Sequence, residues 1–476
     1  MSQSAPRALN DASPAFLEHL EARVGPGILR PAGAADLEEP RGRYHGRAGA
    51  VALPRDTEGV AAIVCACAEA RVGIVPRAGG TGLVAGQVMP EGPLPLLLSV
   101  ERLSAVRDAS PADNALTVEA GVTLAGVQEA AEAVNRLFPL SLGSEGSCRI
   151  GGNLATNAGG VQVLRYGNAR DLCLGIEAVL PDGSVLHGLR RLRKDNTGYD
   201  LRNLLIGSEG SLGIITAASL RLFPRPADTA TAWVATPSPA AAARILQRAL
   251  DRLGEAVSGF ELIHRTGLDF LAEHMPDLRP PLAEGTWFAL IEASGGAGAQ
   301  VQDGLEAALA EAFEAGDATD AVLASSLAQR QAMWQIRETI PEANRAVGAI
   351  ASHDISLPLS AIPEFIDEGL ARLHALDASM RVNCFGHLGD GNLHYNVFPA
   401  AGRDRADYDA LRARVTETVH DLVHAREGSV SAEHGIGRLK VDDLVRYGDP
   451  AKLAAMRAIK QALDPVGIMN PGALLA

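Results

Sequence analysis

His387 and His394 stand seven residues apart in CFGHLGDGNLHYNV, and an acid–histidine pair, Glu433 and His434, follows later in the chain. Together they offer the residue types of a three-ligand divalent metal centre with one imidazole to spare. The Asp390-Gly391 dipeptide between the two histidines predicts a turn that folds the chain back and aims both rings at one point. Glu433 then completes the ligand set, and His434 is left as a base. Taken singly, a histidine in an apolar strand is more often a packed or surface residue, so the set carries the signal and no one member does. Asn392 has an amide to donate to a substrate carboxylate, or else simply tightens the turn, and Asp390 is assigned to the turn itself.

A second kind of signal lies far upstream. PRAGGTGLVAG at 76–86 exposes backbone N–H groups from about Ala78 to Leu83 that no side chain obstructs, which suits an anion such as a pyrophosphate. It fits neither the GxGxxG dinucleotide pattern nor GxxxxGK[ST], because no lysine follows the glycines. Two more small-residue stretches, SEGSCRIGGNLATNAGG at 144–160 and LLIGSEGSLGIIT at 204–216, repeat the theme. Three such loops suit a long ligand such as FAD lying across them.

The elements that must position these residues alternate. An Asp56-capped apolar helix running to about Ala70, then the strands GIVPR, LPLLLSV and ALTVEAG, imply an α/β or α+β first domain with its loops at sheet ends. The prolines of FPRPADTA mark a boundary near 225, after which amphipathic helices such as SPAAAARILQRALDRLG alternate with the strands TWFALIEASG, ASHDISLPL and NLHYNVFP. The expected division is an FAD-binding domain over 1–225, an α+β cap over 226–425, and a helical segment over 426–476 that returns to the first domain.

A chain of 476 residues with 47% hydrophobic content has ample material for two or three cores. The formal charge of -14 argues against a nucleic-acid partner, since no basic face would displace counterions from a phosphate backbone. Five cysteines without a CxxC pair read as reduced, mostly buried thiols. The N-terminal MSQSAPRALND has neither a signal h-region nor transit character, and no apolar run reaches the length of a membrane span. A cytoplasmic protein is expected, with peripheral membrane contact left open and a homodimer the default assembly.

PRAGGTGLVAG, GGNLATNAGG, RKDNTGYDL, IGSEGSLGIIT, GHLGDGNLH, SAEHGIG and DPVGIMNPG occur in this order over nearly the whole chain. In this the sequence resembles the FAD-dependent D-2-hydroxy acid dehydrogenases of the vanillyl-alcohol oxidase fold, and LRYG and RKDNTGYDL look most like the D-2-hydroxyglutarate branch. The resemblance implies an α+β fold in which Arg77, Ala78, Gly79, Gly80, Thr81, Gly82 and Leu83 hold the FAD pyrophosphate. Ser147, Gly151, Gly152, Asn157 and Gly160 would line the flavin, and Ile206, Glu209, Gly213 and Ile214 its ribityl and adenine side. Asn470 would belong to the segment that returns to the flavin domain. Some relatives tether the flavin through a histidine in the first loop. Thr81 stands in that loop here, so FAD is expected to be noncovalent.

By the same resemblance His387, His394 and Glu433 hold Zn²⁺ or Mn²⁺, His434 is the base, and Arg337 in MWQIRETIPEA grips the substrate carboxylate bidentately. The implied reaction takes a D-2-hydroxy acid to its 2-oxo acid, D-2-hydroxyglutarate first and D-lactate or another D-2-hydroxy acid next. An electron-transfer flavoprotein or a quinone would reoxidise the flavin. Two positions depart from the hydroxyglutarate pattern, Pro341 for a threonine and Ser352 for a lysine, which leaves the far carboxylate of a five-carbon diacid short of partners unless His353 supplies one. A flavin-binding non-catalytic subunit and a flavin-dependent alkyl transferase are the competing readings.

Overall fold

The computed structural model describes residues 8–475, so MSQSAPR, read above for targeting signals, lies outside the described residues. The chain divides into two compact units, one of residues 1–159, 167–224 and 433–476, the other of 160–166 and 225–432. The boundary at 224/225 stands beside the expected one. The second falls at 432/433 where 425 was expected, and the short 160–166 segment is taken from the first region into the second unit.

In the first unit, helix Thr57–Ala70 begins where the Asp56 carboxylate accepts the Gly59 N–H, and it turns Val60, Ile63, Val64 and Cys67 into the core. It lies between Ala50–Ala52 and Ile74–Arg77, which both pair in parallel with Leu96–Ser99, so the chain leaves Arg77 straight into the glycine loop at the end of a buried sheet. A separate five-stranded antiparallel sheet runs in the order Val106–Ser110, Ala115–Glu119, Ile214–Arg221, Cys173–Val179 and Val185–Gly188. Its strand Ile214–Arg221 follows directly on the GSEGSLG loop.

The C-terminal segment is bound into this same unit. Helix Pro450–Leu463 ends at Asp464, whose carboxylate accepts the N–H groups of Gly467, Ile468 and Met469. The Lys460 ammonium donates to that carboxylate at 2.5 Å and also to the carbonyls of Ser211 and Met469. Met469 in turn bridges Ile74 in parallel, which extends the four-stranded sheet with the returning chain. The DPVGIMNPG motif is thus a fastener built on one buried acid.

The second unit is organised by a seven-stranded antiparallel sheet. Its order is Asp320–Leu323, Asp228–Thr236, Trp287–Gly295, Val257–His264, Arg381–His387, Asn392–Phe398 and Ala351–Ser356. Helix Leu327–Val347, capped by Ser326, buries Met333, Ile336, Arg337 and Ile340 although Pro341 interrupts its hydrogen-bond ladder. On the opposite face, Ile362–Leu376 and Asp409–Ala425 pack Phe365 against Tyr395 and His420 against His353. The 160–166 segment is held by Arg165, which donates to the Ser294 hydroxyl at 2.6 Å.

Asp464→Ala removes the acceptor of two buried N–H groups and one half-buried one, and the partner of Lys460. We expect a loss of about 3 kcal/mol in unfolding free energy, read by chemical denaturation.

Candidate active site

The hairpin expected between the two histidines is present: Arg381–His387, a single 3-10 turn over Leu388–Asp390, and Asn392–Phe398. Asp390 serves the turn, its carboxylate accepting the Asn392 N–H at 3.1 Å. Antiparallel register decides which side chains share a face. Glu261 lies opposite His387, Phe385 opposite His394, and Asp354 opposite His394, so Glu261, His387, His394 and Asp354 all project from one face of the sheet. The two imidazole centroids are 5.7 Å apart, and each ring places a nitrogen within 4.8 Å of the other's.

What the sequence reading missed is Glu261. Fully buried, its Oε1 lies 2.6 Å from His387 Nδ1, and its Oε2 accepts from Arg337 Nε at 2.7 Å. Burial pushes this carboxyl up, but the Arg337 and His387 charges outweigh burial and bring it down to about 2. The bond sets the His387 tautomer: with Nδ1 turned to the carboxylate, Nε2 is the nitrogen a metal ion would take. A lone acid in the otherwise apolar strand GFELIH was the available signal. Arg337 is itself buried and stacks 4.7 Å over the Phe385 ring. Glu261 Oε2 accepts from its Nε and lies 2.7 Å from its Nη2 as an ion pair.

Two expectations need correction. Asn392 donates its amide to Asp354 Oδ1 and to the Ile355 carbonyl, each at 2.9 Å, so the donor to a substrate carboxylate is already engaged. Here it fastens the hairpin to strand Ala351–Ser356. His353 alternates to the other face of the sheet, where its Nδ1 lies 3.2 Å from His420 Nε2, and so it is no substitute partner for a substrate bound beside His387 and His394. Ser352, on the same face as Asp354, is the neighbour that does point that way.

In the first unit a cavity gathers the small-residue loops. Of the residues expected to bind FAD, Arg77, Ala78, Gly79, Gly80, Thr81, Gly82, Gly151, Gly152, Glu209, Gly213, Ile214 and Asn470 line it. Leu83, Ser147, Asn157 and Ile206 are not among its lining residues, and Gly160 lies in the second unit. Ile206 is buried with its carbonyl bound by Arg170, and Asn157 caps the turn with its Oδ1 on the Arg170 N–H. Gln87, Arg149, Asn153 and Thr156 line the cavity without having been expected to. Gly79 shows how closely the walls approach, for a Cβ there would sit 2.4 Å from the Ser147 carbonyl oxygen. The cavity is a cradle of backbone groups, the fit a pyrophosphate-bearing ligand needs. His434 stands on its wall.

Comparison with known proteins identifies the lineage. The profile described as FAD linked oxidases, C-terminal domain, matches residues 225–474, and the one described as FAD binding domain matches residues 48–188. The chain belongs to the FAD-linked oxidases. It is 36% identical to the mitochondrial D-2-hydroxyglutarate dehydrogenase of Arabidopsis thaliana over 90% of this chain and 75% of that one. It is 38% identical to the D-2-hydroxyglutarate dehydrogenase of Xanthomonas citri pv. viticola over 89% of each. Among solved structures, p-cresol methylhydroxylase matches with a TM-score of 0.76 at 16% identity over 98% of both chains, a likeness of fold. The fold is therefore the expected α+β one of the vanillyl-alcohol oxidase group, and the chain is an FAD-dependent oxidoreductase. Among the described residues no helix is long and apolar enough to cross a membrane.

Gly79→Ala drives a methyl group into the Ser147–Cys148 backbone and narrows the cavity. We expect FAD affinity to fall by roughly tenfold or more, measured by flavin absorbance after dialysis, with the fold retained by circular dichroism.

Proposed function

We propose that this flavoenzyme oxidises a D-2-hydroxy acid to the 2-oxo acid, with D-2-hydroxyglutarate the first substrate to test. The observation that carries the reading is His434, an imidazole on the wall of the glycine-lined cavity of an FAD-binding domain. The names of the relatives supply the substrate class.

The proposed metal set is His387, His394 and Glu433, holding Zn²⁺ or Mn²⁺. Two observations support it. The two histidines converge from one sheet face, and Glu261 holds His387 at Nδ1, which makes Nε2 the ligating nitrogen.

FAD held by the glycine-lined cavity would supply a hydride acceptor for C2, and a divalent ion held by His387, His394 and Glu433 would lower the pKa of the substrate hydroxyl. The chain's own groups do the rest. His434 takes the hydroxyl proton as the C2–H bond breaks, so the substrate loses two electrons and two hydrogens and becomes a ketone. Arg337 orients the 1-carboxylate, and Glu261 keeps both Arg337 and His387 in place. The glycine walls bring backbone N–H groups to the cofactor's phosphates and exclude water from them. We further propose a cytoplasmic enzyme, consistent with five free cysteines, that passes electrons to an electron-transfer flavoprotein or quinone and assembles as a homodimer.

Anaerobic mixing of the purified yellow protein with D-2-hydroxyglutarate tests the substrate: bleaching of the flavin band within the enzyme's turnover time is expected. Bleaching with D-lactate alone would move the substrate, and a flavin that stays oxidised with every D-2-hydroxy acid would leave a non-catalytic flavin subunit. Treatment with a strong chelator should cut turnover by at least about tenfold while flavin absorbance is unchanged, with zinc or manganese restoring it. Undiminished turnover after verified metal removal would rule out the metal set.

A further inference from the structure

Glu209 was expected to touch the cofactor, yet both its carboxylate oxygens are taken up by protein. Oε1 accepts the Ile436 N–H at 2.7 Å and Oε2 accepts the Gly437 N–H at 2.6 Å. These are the residues immediately after Glu433-His434-Gly435. Glu209 is itself held in the left-handed region at φ 53, its N–H bound to the Ala155 carbonyl and its carbonyl accepting the Asn470 amide at 2.8 Å. The contact is close enough to dictate sequence: a Cβ at Gly435, where φ is 81, would lie 2.7 Å from Oε1. Arg438 locks the far end of the loop, donating to the carbonyls of Ala85, Gly86 and Pro471 and to Asn470 Oδ1. Burial raises the Glu209 carboxyl, and the two N–H groups with Arg438 and Lys440 oppose that rise.

We propose that Glu209 is a positioning residue, which through the backbone of Ile436 and Gly437 sets where the His434 imidazole stands in the cavity. Charge-assisted bonds to two consecutive N–H groups define both the position and the direction of the loop strand, where a single bond would leave it free to pivot. His434 lies two residues from the first of these bonds, with one glycine between. Glu209 itself is among the lining residues of the cavity, so the loop is registered against a residue of the cavity wall. The GSEGSLG motif thereby gains a role in placing the base, and the two glycines of EHGIG are accounted for by Glu209 and by Val84, whose carbonyl would be 2.0 Å from a Cβ at Gly437.

The inference rests on His434 being the base, and a double-mutant cycle on the flavin-loaded enzyme separates the two claims. Glu209→Gln, His434→Gln and the double variant are compared for FAD content, FAD dissociation constant, and kcat and KM for D-2-hydroxyglutarate. Glu209→Gln turns an amide N–H toward a backbone N–H, so kcat should fall by about 10- to 100-fold with KM changed less than about threefold and FAD retained. In the His434→Gln background the same change should lower kcat by less than about twofold, because a misplaced base that is already absent costs nothing more. Multiplying effects would overturn the proposal in favour of a general loosening of the unit. Loss of FAD with normal kcat at saturating FAD would overturn it in favour of a cofactor ligand. Wild-type kcat in His434→Gln alone would instead remove the base assignment on which it stands. Should Glu209→Gln not fold, Glu209→Asp, which keeps the charge and shortens the reach, is judged by the same cycle.

Discussion

A single buried carboxylate, Glu261, organises the chemical face of the second unit. It cannot reach water, so its charge is tolerable only because Arg337 and His387 meet it from two sides. Each partner is thereby committed. Helix Leu327–Val347 must keep Arg337 over the sheet, and the hairpin ending at His387 must keep its register with Val257–His264. A slip of one residue would send His387 and His394 to the opposite face and leave Glu261 with Arg337 alone. The constraint that stabilises the fold is therefore the one that aims the imidazoles.

The first unit solves a different problem by different means. Its cavity is walled by loops whose backbones approach within van der Waals limits, and what holds those loops is a set of buried polar clasps: Asp464 with Lys460, Arg438 with Asn470, Glu209 with the EHGIG loop. Lys460 also reaches the Ser211 carbonyl, Arg438 the Ala85 carbonyl and Glu209 the Ile436 N–H, each across more than 200 residues of sequence. Glycine is required where backbone meets backbone, and charged side chains are required where the loops would otherwise part. The glycine-lined cavity and His434 are thus registered within one unit.

Much of this was legible in the sequence because it is local. The Asp56 cap, the Asp390-Gly391 hairpin, the strands GIVPR and LPLLLSV, and the helix carrying Arg337 follow from short-range periodicity and turn chemistry. The misses are all long-range. Glu261 meets His387 across 126 residues and Glu209 meets Ile436 across 227, distances at which spacing carries no information. The donor role expected of Asn392 failed because strand Ala351–Ser356, not visible from the turn, claims both its N–H groups. His353 was misjudged for want of register, which a period of two makes decisive. Gly160, expected to line the flavin, instead opens the 160–166 segment of the second unit, where Arg165 is tied to Ser294.

The most direct test of Glu261 as the organiser of a metal-binding face is a competition titration for zinc, comparing the wild-type chain with Glu261→Gln. The neutral amide no longer sets the His387 tautomer or draws its ring, so affinity should fall by about 10- to 100-fold with FAD content unchanged. Equal zinc affinity in the two proteins, or no stoichiometric zinc in either, would contradict the account.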